Sequence, residues 1–132
     1  MTLVGGIYGK EIDLIEKVKL LSNVLNPINV IFDKINYLDQ FFRSFFLEVK
    51  LTNELESARN IACNTFDYPD NDYLPHISLA YGNYDRSIKL KMADNFCDIP
   101  LGFIGNKIFL ANNNENDLRW EIISSVNLKS LV

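Results

Sequence analysis

The feature that most narrows what this chain can fold into is an internal repeat. Thr2-Leu3 is followed by two residues and then Gly6, and Ser78-Leu79 by two residues and then Gly82, with Tyr8 and Tyr84 in the same register. A helical segment comes after each, and then Pro27-Ile28 or Pro100-Leu101 opens a strand. Those strands carry Asp33-Lys34-Ile35 and Asn106-Lys107-Ile108. Each leads through a hairpin to a last strand, Phe45-Phe46-Leu47-Glu48-Val49 in one copy and Trp120-Glu121-Ile122-Ile123 in the other. Ordered self-similarity of this kind marks a duplicated strand–helix–hairpin unit, with copies over about 1–51 and 76–128. At 132 residues the chain supplies one domain with a real core, not two independent ones.

Local patterning fills in the unit. Thr2–Gly6 reads as a strand stub running into a turn, and the apolar spacing from Lys10 to Val24 predicts a helix that Asn26-Pro27 ends. Ile28–Tyr37 and Phe41–Leu51 read as strands joined by a short link at 38–40; the second has no cleanly polar face, which predicts an inner strand. Thr52 or Asn53 can cap a helix over Glu54–Thr65, and Asp67–Asp72 is a loop by composition. Tyr73–Gly82 reads as a strand with a turn behind it, Arg86–Cys97 as a helix and Leu101–Ala111 as a strand. Asn112–Asp117 reads as a polar tip and Leu118–Val126 as the returning arm of a hairpin.

Composition removes several functions. A net charge of −4 argues against a surface built to neutralise a duplex backbone, while leaving room for a single phosphate or an RNA end. No apolar run approaches the roughly 20 residues that span a bilayer, and Met1–Gly6 lacks the pattern of a signal peptide, so a cytoplasmic setting without a membrane is expected. Cys63 and Cys97 are far apart and read as reduced thiols. One histidine with no ligand-spaced carboxylates predicts no metal site, and no cofactor is expected.

The chemistry centres on His76. In a strand alternate side chains share a face, so His76 and Ser78 point the same way. An imidazole can move a proton near neutral pH, and a hydroxyl two residues on can reach the same oxygen. Taken alone, a histidine beside a serine is more often structural. The acids Asp67, Asp70 and Asp72 read as solvated, and Arg43, Lys34 and Lys107, which could steer an anion, as solvated or snorkelling cations. Trp120 reads as core, Tyr8 and Tyr84 as turn tyrosines packed on their own units, and Asn112–Asn114 as a hairpin tip.

The run Tyr73-Leu74-Pro75-His76-Ile77-Ser78-Leu79-Ala80-Tyr81 resembles the second His-x-Ser/Thr signature of the two-histidine (2H) phosphoesterases, and in particular of the cyclic phosphodiesterases. Trp120-Glu121 in the last strand and Asn127-Leu128 after it fit the same family. The resemblance implies an α+β, bilobal, pseudo-symmetric fold of two antiparallel sheets flanked by helices. It also implies metal-independent opening of 2′,3′-cyclic phosphates or the 1″,2″-cyclic phosphate of ADP-ribose, on nucleotides or RNA ends. By that resemblance His76 is a catalytic acid/base, Ser78 and Thr2 bind phosphate oxygens, and Tyr81 contacts substrate. The first catalytic histidine, which would stand just before Met1, is missing, as are the strand and helix that normally precede it. The fold is therefore expected to be N-terminally incomplete and hydrolysis impaired. A fragment, a degenerate copy that holds nucleotide phosphates without turnover, or a chain completed by dimerisation, which would cover the incomplete sheet edge, each accounts for the gap. A structural domain that pairs its edge strand with a partner is the blander alternative.

Overall fold

A computed structural model describes residues 1–69, 71–96, 98–114 and 119–129. In chain order the elements are α1 (Glu11–Val24), β1 (Ile28–Asn36), β2 (Phe45–Val49), α2 (Asn53–Thr65), β3 (His76–Ala80), α3 (Arg86–Asp94), β4 (Gly102–Gly105), β5 (Lys107–Asn114) and β6 (Arg119–Asn127). Four strands form one antiparallel sheet in the order β3-β2-β1-β4, and β5 and β6 form a second, two-stranded one. The α+β class with two antiparallel sheets is therefore what the chain adopts. Among the described residues no helix is long and apolar enough to cross a membrane.

Apolar periodicity explains the core. Val18 and Leu21 of α1 fall one turn apart on one face and are buried there. Asn26-Pro27 forbids a further turn, and the Leu25 N–H closes the helix on the Leu21 carbonyl at 3.0 Å. Ile28 and Val30 are buried on the same face of β1, and β2 is buried almost throughout because β1 and β3 flank it. The expected inner strand is β2. The Thr52 hydroxyl caps α2 by accepting from the Leu55 N–H at 3.2 Å, and Leu55, Ala58 and Ala62 then pack on Leu21, Leu25, Val30 and Val49.

Three strand expectations need correction. Residues 2–6 form no strand: the chain bends at Leu3-Val4 and again at Gly6 (φ +72°), and the Thr2 and Leu3 carbonyls accept from the Tyr73 and Arg59 side chains. Phe41–Leu51 pairs only over Phe45–Val49, because the Leu38 N–H bonds the Arg43 carbonyl at 3.0 Å and closes 38–43 into a loop. Leu101–Ala111 is two strands, β4 on β1 and β5 on β6, broken at Asn106, whose carbonyl accepts from the Leu128 N–H at 2.9 Å. The strand over Tyr73–Gly82 narrows to β3, and the helix over Arg86–Cys97 ends at Asp94. Asn112–Asn114 belong to β5 and not to a tip. Asp70, Cys97 and residues 115–118 lie outside the described residues, so the rest of the expected tip does too.

The β1–β4 pairing makes a sharp demand on one residue. Gly102 sits opposite Ile31 at φ +153°, and a Cβ there would run into the backbone carbonyl of Val30. Gly102→Ala should cost about 2–4 kcal/mol, from backbone strain and overpacking together. Urea denaturation measures it, and a loss under about 0.5 kcal/mol, the scale of an ordinary surface change, would mean that β4 does not lie as described.

Candidate active site

β3 is an edge strand hydrogen-bonded to β2, with His76 opposite Glu48 and Ser78 opposite Phe46. Strand alternation puts His76 and Ser78 on one face, as the spacing predicts. Two contacts fix the imidazole. The fully buried Phe46 ring meets it edge-on with centroids 5.3 Å apart, and His76 Nδ1 lies 2.8 Å from the Leu74 carbonyl. A carbonyl only accepts, so Nδ1 carries the hydrogen and the neutral ring leaves its lone pair on Nε2.

Thr2 reaches the same region by a different route. The Tyr73 hydroxyl donates to the Thr2 carbonyl at 2.9 Å, and Arg59 donates to the Leu3 carbonyl. The Arg59 guanidinium also lies over the rings of Tyr73 (4.7 Å) and Tyr68 (5.4 Å), so two aromatic faces and a main-chain oxygen share its charge. Burial pushes the Tyr73 phenol up to about 12, with nearby Arg59 opposing the rise. Between about pH 10 and 12 an unfolded Tyr73 has lost its proton while the folded one keeps it, so the folded state binds more protons and stability falls as pH rises through that window. An ultraviolet titration should show one of the six tyrosines ionising late, and Tyr73→Phe should remove that component.

These elements enclose a cavity of about 550 Å³ whose lining includes Thr2, His76, Ser78 and Tyr81, all four site residues named from the sequence. Ser78 Oγ points at the Phe42 carbonyl at a long 3.4 Å, and the Tyr81 ring packs edge-on against Phe42 at 5.6 Å. The facing wall is the β5–β6 hairpin, which presents Phe109, Trp120 and Ile122. Here the sequence reading of Trp120 as core fails. It is 52% exposed, because among the described residues β6 pairs with β5 alone.

Other side chains also depart from their expected roles. Arg43 is half-buried and lines the cavity, which leaves the snorkelling and anion-steering readings and removes only that of a fully solvated cation. The available signal was its place inside Phe41-Phe42-Arg43-Ser44-Phe45-Phe46, where a charge is held among aromatic rings. Tyr84 packs over Gly82, as a turn tyrosine should, whereas Tyr8 is 93% exposed. Asp67 is solvated and pairs with Lys17 at 3.8 Å. Cys63 is a buried thiol. Among the described residues no three His, Cys, Asp or Glu side chains cluster closely enough to hold a metal ion.

A larger groove, about 760 Å³, runs beside α2 and is lined by Arg59, Asn60, Asn71, Asp72 and Tyr73 among others. It contains no imidazole, and its arginine is already engaged by Leu3 and the two tyrosines. Proton-transfer chemistry therefore points to the smaller cavity. No protein-family model matches the chain, and no curated protein matches it.

Proposed function

We propose that the His76 cavity is a phosphoester site of the cyclic phosphodiesterase kind, carried in a 2H-like pseudo-symmetric arrangement, with hydrolysis impaired in this chain. The observation that supports it is the convergence of Thr2 with His76, Ser78 and Tyr81 on one cavity. Thr2 and Ser78 are the two hydroxyls that the internal repeat aligns. Opening a cyclic phosphate adds water to phosphorus and breaks one bond from phosphorus to a ribose oxygen. The attacking water loses a proton and the departing oxygen gains one, so two proton-transfer groups serve the reaction. With Nδ1–H held by Leu74, neutral His76 offers Nε2 as the base for water. Ser78 and Thr2 hold the non-bridging oxygens, and Tyr81 meets the nucleoside side. No second imidazole is present in the chain to protonate the leaving oxygen, which makes turnover slow. The substrates are nucleotides or RNA termini bearing a cyclic phosphate.

That single imidazole also favours a second reading, a module that binds nucleotide phosphates without turning them over. Long incubations with 2′,3′-cyclic nucleotides and with the 1″,2″-cyclic phosphate of ADP-ribose, read by product chromatography, separate the two. Product above the His76→Ala background supports the enzyme. Binding of 2′-AMP that survives His76→Ala, with no product, supports the binding module. Neither product nor binding would sink both.

A further inference from the structure

We propose that Arg43 is the anion-binding residue of this cavity, and that it makes the site prefer a doubly charged terminal phosphate over a singly charged cyclic one. The proposal deepens the phosphoester reading and rests on it.

Charge is the first argument. The chain carries a net −4, yet no carboxylate is among the described residues lining the cavity, and Arg43 is the one permanently charged side chain there. Among the described residues the ion pair found is Lys17–Asp67, and no described acid pairs with Arg43. A half-buried guanidinium without a carboxylate costs free energy that an incoming anion offsets. Aromatic and apolar walls from Phe42, Tyr81, Phe109 and Trp120 lower the local dielectric and strengthen that attraction.

Rigidity is the second. The loop that carries Arg43 is pinned from α3, from β3 and the turn after it, and across its own neck. Lys89 of α3, itself 3% exposed, donates to the Leu38 carbonyl at 2.7 Å. Within the loop the Leu38 N–H bonds the Arg43 carbonyl at 3.0 Å, while the Gly82 N–H bonds the Phe41 carbonyl at 3.0 Å and Ser78 Oγ leans on the Phe42 carbonyl. A buried lysine spent on a loop carbonyl holds that loop in one place. The arginine beside it is therefore preorganised, and little entropy remains to be lost when it binds.

Chemistry then selects the ligand. A guanidinium fork matches two oxygens of a phosphate. A cyclic diester offers two non-bridging oxygens sharing one negative charge. A terminal monoester offers three, and carries close to two charges above its second pKa of about 6. The ring-opened product is thus held more tightly than the ring it comes from.

Calorimetry on the full chain at pH 7.5 tests this with 2′-AMP, 2′,3′-cyclic AMP and inorganic phosphate. The native chain should bind 2′-AMP about tenfold more tightly than the cyclic nucleotide, with an affinity that falls as salt rises. Arg43→Gln should weaken 2′-AMP about 10–100-fold and bring the two affinities together, while Arg43→Lys, which keeps the charge and the stem, should recover part of the loss. Circular dichroism checks that both variants fold. Unchanged 2′-AMP affinity in Arg43→Gln, a native affinity indifferent to salt, or no native binding of any of the three anions would overturn the proposal. Hydrolysis that depends on His76, alongside binding indifferent to Arg43, overturns this proposal and leaves the phosphoester reading. Arg43-dependent binding with no hydrolysis above His76→Ala removes the enzymatic reading and leaves this one.

Discussion

His76→Ala should lower the hydrolysis of 2′,3′-cyclic nucleotides by roughly 10²–10⁴-fold, to the rate without protein, while 2′-AMP still binds. The size follows from what the side chain supplies. Ser78, Thr2 and Tyr81 can hold and orient a phosphate, but none of them accepts a proton readily at neutral pH. An imidazole is the side chain suited to that task, and with Nδ1 claimed by the Leu74 carbonyl it is Nε2 of His76 that is left for it. The loss should therefore fall on kcat and leave KM nearly alone. A matched fall in binding of 2′-AMP would mean that the imidazole holds the ligand and moves no proton. Turnover equal in the native and substituted chains would remove His76 from the chemistry altogether.

Phe46→Ala should cost about 3–5 kcal/mol of folding stability, the range for deleting a fully buried aromatic side chain. Phe46 lies in β2, bonded on one side to β1 and on the other to β3, so a void there loosens both ladders. It also removes the ring against which His76 packs. Chemical denaturation gives the energy through the shift of its midpoint. Phe46→Leu keeps most of the volume and should cost about half as much or less, with the imidazole still supported. A loss below about 1 kcal/mol for the alanine variant would mean that the strand is not the packed centre of the sheet.

What could be read in advance was what depends on neighbours in sequence. Asn26-Pro27 ends α1 through a clash inside the chain, Thr52 caps α2 three residues from its partner, and the shared face of His76 and Ser78 follows from strand pleating alone. What could not be read depends on which strand lies alongside. Leu101–Ala111 is strand-like on both sides of Gly105-Asn106, and the exchange of β1 for β6 as partner turns that weak local signal into a break at Asn106. Thr2-Leu3 has the composition of a strand, but its carbonyls accept from the Tyr73 and Arg59 side chains, which lie far away in sequence. The exposure of Trp120 and the half-burial of Arg43 have one cause. Hydropathy ranks a residue by its own preference, whereas a concave wall between two sheets exposes an indole and half-buries a guanidinium. Sites of function are where such conflicts between local preference and placement are expected.

The way the first residues are moored has a practical outcome. Tyr73 and Arg59 both grip main-chain oxygens, which every amino acid carries, and the Thr2 side chain is left exposed at the cavity mouth. Position 2 can accordingly be swapped for an acid, an amide or a plain hydrocarbon while the segment stays docked. It offers a handle for retuning what the hollow accepts that leaves the fold undisturbed.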